Sequence, residues 1–298
     1  MTDWSLTLSA PAKINLYLGV HTERDDRGYH RVDSLMAAVG LSDTVTVTPA
    51  QALTVQTVPA SDFPMQKNTA YRAALAMAEH YGREANVCIT IEKRIPLCAG
   101  LGGPSTDAAA VIVALAESWG IDRADSALDN IARGIGADVP FFLHASPAFY
   151  VGGGDVLATE YSALPATPVV LVKPREASVS TIEAYRRFDE TPAPADKPGA
   201  IASALRSGDA EAAYALVHNN LGVISTQMEP RIQTVLGWLR SQDDTIAVNV
   251  CGSGACSFAL CDTAATAVNL AAAAQQNGWW AYATELVSDT VRIEAPKK

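Results

Sequence analysis

Apolar positions recur at period two near the start of the chain. From Ser5 to Val20 it reads SLTLSAPAKINLYLGV, with Ile14, Leu16, Leu18 and Val20 in alternation, the pattern of a strand with one buried face. Lys13 and Asn15 share the opposite face, either as solvated polar groups or as the lining of a site for a phosphoryl group or a hydroxyl. A charged turn with Gly28, the pair Tyr29-His30, a short apolar run and an alternating strand at Val45 and Val47 follow. Asn68 opens a helix, NTAYRAALAMAEHYG, most simply as its N-cap, and Gly82 stops it.

Val87, Ile89, Ile91, Ile95 and Leu97 predict a further strand, which runs through Gly100, Gly102 and Gly103 into an alanine-rich helix ending near Trp119. A second helical stretch, ADSALDNIARGIG, closes at Gly134 and Gly136 and leads into GADVPFFL. The glycines at 152–154, a strand ending near Tyr161, and Pro165 and Pro168 mark a domain boundary, dividing the chain into residues 1–165 and 166–298. Beyond it the pattern predicts the strand PVVLVKP, a short helix in VSTIEAYRRFDE, a proline-rich loop over 191–199, and helices around 200–219 and 229–241. IAVNVCGSGACSFALCD reads as strand, loop and helix, with Gly252-Ser253-Gly254 as a tight turn or a close approach to a ligand. An alanine helix and returning strands complete an α+β mixture.

Strand, glycine loop and helix together build an anion cradle. Glycines admit positive φ and close backbone approach, while the helix start adds unpaired N–H groups and the positive end of its dipole. The ligand expected here is a phosphate, although the loop matches neither a Walker A sequence nor a dinucleotide fingerprint. Pro104 removes one donor and suits a first helical turn. Ser105 and Thr106 either cap the helix or hold a metal ion and a phosphate oxygen. Asp138 stands before the apolar run Val139–Leu143, where a carboxylate needs a cation or donors, and Lys13 is the candidate partner. Such a pair suits phosphoryl transfer to a hydroxyl; the alternative is a turn cap before Pro140. Tyr29 and His30 offer a stacking face and a hydrogen-bonding ring to a planar base, or are a half-buried pair with no ligand.

Composition narrows the partners. The chain has 298 residues, 49% of them hydrophobic, and a net charge of −10, which argues against a nucleic-acid surface. Any phosphate must be held locally. Five cysteines without paired zinc spacing, together with no charged-then-apolar leader, point to free thiols in a reducing cytoplasm. No apolar run reaches the roughly 20 residues of a membrane span.

APAKINLYL, AGLGGPSTDAA, GADVPFFL and CGSGACSFAL stand in the order found in the superfamily of galactokinase, homoserine kinase, mevalonate kinase and phosphomevalonate kinase, the GHMP kinases, and the chain resembles that family over nearly its whole length. RGYHRVDSL narrows the resemblance to the branch that phosphorylates the 2-hydroxyl of 4-diphosphocytidyl-2-C-methyl-D-erythritol in the non-mevalonate isoprenoid pathway. The resemblance implies the two-domain GHMP kinase fold, with a ribosomal protein S5 domain 2-like N-terminal domain, a ferredoxin-like C-terminal domain and the site in the cleft between them. It also implies ATP and Mg2+, and a small-molecule substrate, a cytidyl diphosphate sugar alcohol, with a monomer or weak homodimer as the working form.

On the family's pattern Lys13 and Asp138 match the catalytic pair, and Asn15 a residue beside the substrate. Tyr29 and His30 match the cytosine-recognising pair, with Tyr185 as a second aromatic face. The nucleotide is expected at Leu97, Cys98, Ala99, Gly100, Leu101, Gly102, Gly103, Pro104, Ser105, Thr106 and Asp107, with Asn68 beside them, and the metal at Ser105. Where the family usually reads Gly-Leu-Gly-Gly-Gly-Ser-Ser, this chain carries Pro104 and Thr106. A sister kinase for homoserine or mevalonate would have less use for Tyr29 and His30; a non-catalytic binding protein would not need Lys13 and Asp138.

Overall fold

The computed structural model describes residues 4–60 and 63–295. Its spine is a pair of long antiparallel strands, β1 (Leu6–Arg24) and β2 (His30–Pro49). Around them the N-terminal half adds β3 (Thr54–Val58), α1 (Thr69–Tyr81), β4 (Val87–Glu92), α2 (Gly103–Trp119), α3 (Ser126–Ile135), β5 (Ala148–Val151) and β6 (Val156–Glu160). The C-terminal half adds β7 (Pro168–Lys173), α4 (Thr181–Glu190), α5 (Gly199–Arg206), α6 (Ala210–Tyr214), β8 (His218–Asn219), α7 (Leu221–Met228) and α8 (Pro230–Arg240). It closes with β9 (Thr245–Val250), β10 (Ser257–Cys261), α9 (Ala264–Gln276), β11 (Trp280–Val287) and β12 (Arg292–Ile293).

Both faces of β1 and β2 are covered. On β2, Met36, Ala38, Val45 and Val47 face one hydrophobic core, built with α1 and α2, whereas Leu35, Ala37, Val39 and Leu41 face a second, shared with β7, β10 and β11. Register shifts on β1 between Pro11 and Ala12 and between Asn15 and Tyr17 re-aim its side chains, as bulges do. One-face burial therefore fails for β1: Lys13 and Asn15 are both buried and face the interior rather than water.

The strand order β11-β7-β10-β9 in the C-terminal half, antiparallel throughout, is 4-1-3-2 in chain order, as in ferredoxin-like sheets. β11 continues past β7 to pair with β2 at Val39 and Ala38, so the two halves share a hydrogen-bonded seam. The segment expected as a helix after Gly254 is strand β10, buried on both faces between β7 and β9, an environment in which an apolar run forms either element. The helix expected over 200–219 is two helices and a short strand.

Alanine explains how α2 sits. Every residue from Thr106 to Ala116 is buried, and small side chains let the helix lie close to the sheet and to α1. Val111, Ile112 and Leu115 supply the larger contacts, each worth roughly 1.5–3 kcal/mol of transfer free energy. Its N-terminus is thereby fixed at the cleft. Among the described residues no helix is long and apolar enough to cross a membrane.

Candidate active site

A cavity of about 940 Å³ lies between the halves and gathers Lys13, Asn15, Tyr29, His30, the loop from Cys98 to Ser105, Asp138, Tyr185 and Gly252 to Gly254. The glycine loop is locked to its surroundings by backbone bonds. The Lys13 N–H donates to the Leu101 carbonyl at 2.9 Å, and the N–H groups of Ala255 and Cys256 donate to the carbonyls of Cys98 and Ala99 at 3.1 and 3.2 Å. The loop of one half therefore docks on the β9–β10 turn of the other.

Glycine is required where the two approach. Gly100 has φ +73°, and a Cβ built there would lie 1.9 Å from the Cys251 carbonyl oxygen. A Cβ on Gly102 would meet Phe142 at 2.9 Å and Lys13 Cγ at 3.0 Å. α2 starts at Gly103 with Gly102 as its N-cap and without any capping side chain. The expected cap by Ser105 or Thr106 is absent because both lie inside the first turn, where their N–H groups donate to the Gly102 carbonyl at 3.0 and 2.9 Å.

Lys13 is 3% exposed, and a buried ammonium needs partners. It donates to Asn15 Oδ1 at 2.8 Å, Asn15 Nδ2 donates to Ser34 Oγ at 2.9 Å, and Asp138 Oδ2 lies 3.3 Å from Lys13 Nζ. That last distance exceeds the 2.7–2.9 Å usual for a charge-assisted bond, and the Asp138 side chain is 37% exposed. The carboxylate thus keeps lone pairs turned to the cavity. Behind it the fully buried Val139, Phe141 and Phe142 hold the chain, and Val139, not Asp138, precedes the short helix Pro140–Leu143.

At the other end, Tyr29 is 61% exposed while His30 is buried. His30 Nδ1 bonds the His21 carbonyl at 2.7 Å, and its ring lies 5.2 Å from that of Tyr185. His30 Nε2 takes no well-formed hydrogen bond: Asp189 Oδ1 stands 3.2 Å away but at a poor angle. Burial first, then the Asp138 carboxylate, pushes the Tyr185 phenol well above its ordinary range.

Four expected residues do not line this cavity. Leu97 is 64% exposed, because β4 ends at Glu92 and the chain turns before the loop. Asn68 caps α1, accepting from the Ala70 N–H at 2.9 Å. Thr106 and Asp107 fall on the core side of α2: the Thr106 hydroxyl is buried, and Asp107 Oδ2 lies 2.6 Å from Lys93 Nζ. Burial, more than any charge, pushes the Asp107 carboxyl up to about 7.

Sequence reasoning missed Ser34, Arg24, Asp189 and Thr181, all of which line the cavity. Asp189 was legible in part, since it stands four residues after Tyr185 on a helix and so shares its face. Its partner Arg24, 2.5 Å away, comes from the far end of β1 and carries no such signal.

Comparison with known proteins adds relatives. The models of the GHMP kinases N terminal domain and the GHMP kinases C terminal match residues 68–146 and 201–278. The 4-diphosphocytidyl-2-C-methyl-D-erythritol kinase of Mycolicibacterium gilvum is 37% identical over 89% of this chain and 85% of its own. The protein of that name from Mycobacterium avium is 36% identical over 89% and 85%. A crystal structure of 4-(cytidine 5'-diphospho)-2C-methyl-D-erythritol kinase superposes with a TM-score of 0.76 at 34% identity, covering 94% of this chain and 98% of that one. Homoserine kinase from Cytophaga hutchinsonii shares the fold, with a TM-score of 0.74 at 18% identity over 97% of each chain.

Proposed function

The chain belongs to the GHMP kinases and, within them, to the family of 4-diphosphocytidyl-2-C-methyl-D-erythritol kinases, and on that premise we propose that it moves the γ-phosphoryl group of ATP to the 2-hydroxyl of 4-diphosphocytidyl-2-C-methyl-D-erythritol. The observation that carries this reading is one cavity holding Lys13 beside Asp138, a glycine cradle and a wall of Tyr29, His30 and Tyr185.

In this reading Asp138 accepts the proton of the attacking hydroxyl through the lone pairs that Lys13 leaves free. Lys13, fixed by Asn15, offsets charge that develops on the transferring group. The loop from Cys98 to Ser105 holds the nucleotide phosphates with backbone N–H groups and the helix dipole. The cradle has no room for side chains and suits phosphate oxygens. The Ser105 hydroxyl on the cavity wall, together with those phosphates, would hold Mg2+, which supplies charge neutralisation of the triphosphate. Tyr29 and Tyr185 stack on the cytosine, and the unpaired His30 Nε2 offers its lone pair to the base.

We place the two domains at residues 1–165 and 166–298, supported by β7 beginning at Pro168. The five free cysteines support a cytoplasmic setting.

ADP release with ATP, Mg2+ and the cytidyl substrate, run beside homoserine and mevalonate, tests the reading. Turnover confined to the cytidyl substrate is expected. Turnover with another acceptor would discard the base recognition, and none with any acceptor would discard the kinase assignment.

A further inference from the structure

The turn between β5 and β6 reads Gly152-Gly153-Gly154-Asp155, and its aspartate is 3% exposed. Asp155 accepts from Arg27 Nη1 at 2.7 Å and Nη2 at 3.2 Å, from Arg133 Nε at 3.1 Å and from the Gly153 N–H at 3.0 Å. Burial alone would raise the Asp155 carboxyl, but the two guanidiniums outweigh it and hold the carboxyl below its usual range. The Nε of Arg27 donates to Asp25 Oδ2 at 2.8 Å. Asp25 and Asp155 thus hold this guanidinium between them.

The Cζ of that guanidinium lies over the Tyr29 ring, 5.1 Å from the ring centroid. Asp25 also takes the Tyr29 N–H at 2.9 Å. A Cβ on Gly153 would stand 3.3 Å from Arg27 Nη2 and 3.5 Å from Tyr29 Cβ, so the turn runs close beside both residues and leaves little space for a side chain. Two arginines and two aspartates in the group cancel in charge. Arg27 is therefore a poor partner for a substrate diphosphate and well placed to be a support.

We propose that Arg27 and Asp155 are positioning residues for base recognition: Asp155 fixes the guanidinium, and the guanidinium fixes the ring of Tyr29 for stacking on cytosine. This rests on the proposed role of Tyr29. An exposed ring backed on one face by a clamped planar cation loses less freedom when a base covers the other face. Lysine would not substitute, because an ammonium offers neither the bidentate fork nor the flat face.

The test is a double-mutant cycle on the full-length enzyme, with Michaelis constants for both substrates and a melting temperature for each variant. Arg27→Met is expected to raise the constant for the cytidyl substrate about fivefold, leaving kcat and the constant for ATP within about twofold. Arg27→Lys should match it, and Asp155→Asn should move in the same direction. In a Tyr29→Ala background Arg27→Met should add less than about twofold, because the support then has nothing to hold. An unchanged constant in the wild-type background, or an equal rise in both backgrounds, overturns the proposal. A wild-type protein inert toward the cytidyl substrate instead overturns the reading of function on which it stands.

Discussion

Lys13 Nζ stands 3.3 Å from Asp138 Oδ2, closer to Asn15 Oδ1 at 2.8 Å than to the carboxylate it neutralises. The ammonium is buried and the carboxylate is partly open, so the pair is asymmetric by construction: the cation is fixed and the anion is available. Asp138→Asn keeps the shape and the contact to Lys13 but removes the proton acceptor. Turnover should fall by about 10² or more, with the Michaelis constants for both substrates within a few fold. Steady-state kinetics decide it, and near-normal turnover would remove Asp138 from the mechanism.

Docking of the glycine loop on the β9–β10 turn makes Gly100 a joint between the halves. Its φ of +73° and the 1.9 Å approach of a built Cβ to the Cys251 carbonyl leave no room for a side chain. The obstruction is backbone, which cannot rotate away. Gly100→Ala should lower the melting temperature, by an amount worth roughly 2 kcal/mol or more once left-handed strain and overpacking combine, and should raise the Michaelis constant for ATP. Gly82→Ala is the control: φ there is +61° with nothing within 4 Å of the built Cβ, so it carries the strain without the clash and should cost less.

Features decided within a few residues were legible in the chain: the Asn68 cap, the Ser180 cap of α4 and the glycine loop ahead of α2. The pairing of Lys13 with Asp138 was legible too, because a carboxylate beside Val139, Phe141 and Phe142 requires a cation. What could not be read was what covers each surface. Period-two alternation in β1 suggested a solvated face, but the glycine loop, Asp138 and the β9–β10 turn close over Lys13 and Asn15 from far along the chain. Buried on both sides, β10 lost the alternation that separates strand from helix. Thr106 and Asp107 follow the phosphate loop in sequence, yet helical rotation turns them to the core. Asp155 and Arg27 meet only because the β5–β6 turn folds beneath the β1–β2 loop.

Pro104 concerns the donors left at the start of α2. Ser105 and Thr106 direct their N–H groups to the Gly102 carbonyl, so those free for a phosphate come from earlier in the loop, and a proline at this position withholds one. Pro104→Gly should restore it and lower the Michaelis constant for ATP. The Thr69 hydroxyl donates to the residue 104 carbonyl at 2.5 Å, a bond that glycine retains. The same change should lower the melting temperature, since glycine enlarges the unfolded ensemble. An unchanged or raised constant for ATP would show that the cradle makes no use of that donor.

His144 pins the segment behind Asp138. Its N–H donates to the Phe141 carbonyl at 3.2 Å, and its own carbonyl takes the Thr290 hydroxyl at 2.6 Å. Its ring Nε2 lies 2.8 Å from Asp129 Oδ1, with Glu160 Oε1 3.6 Å from Nδ1. The hydrogen bond to Asp129 leads in raising the imidazole above its usual range; burial opposes it, and the charges of Asp129 and Glu160 add to it. A raised value in the folded state means that the fold binds this proton more tightly than the unfolded chain does. The stabilisation is therefore fully present below the unfolded value of about 6.5 and is lost as pH rises through the folded one. Because Asp129 is 41% exposed, the gain is below about 1 kcal/mol. Thermal unfolding of wild type and His144→Gln at pH 5.5 and 8.5 should show a larger gap in melting temperature at the lower pH. An equal gap at both would mean that His144 acts through packing and its backbone bonds, with the charge contributing nothing.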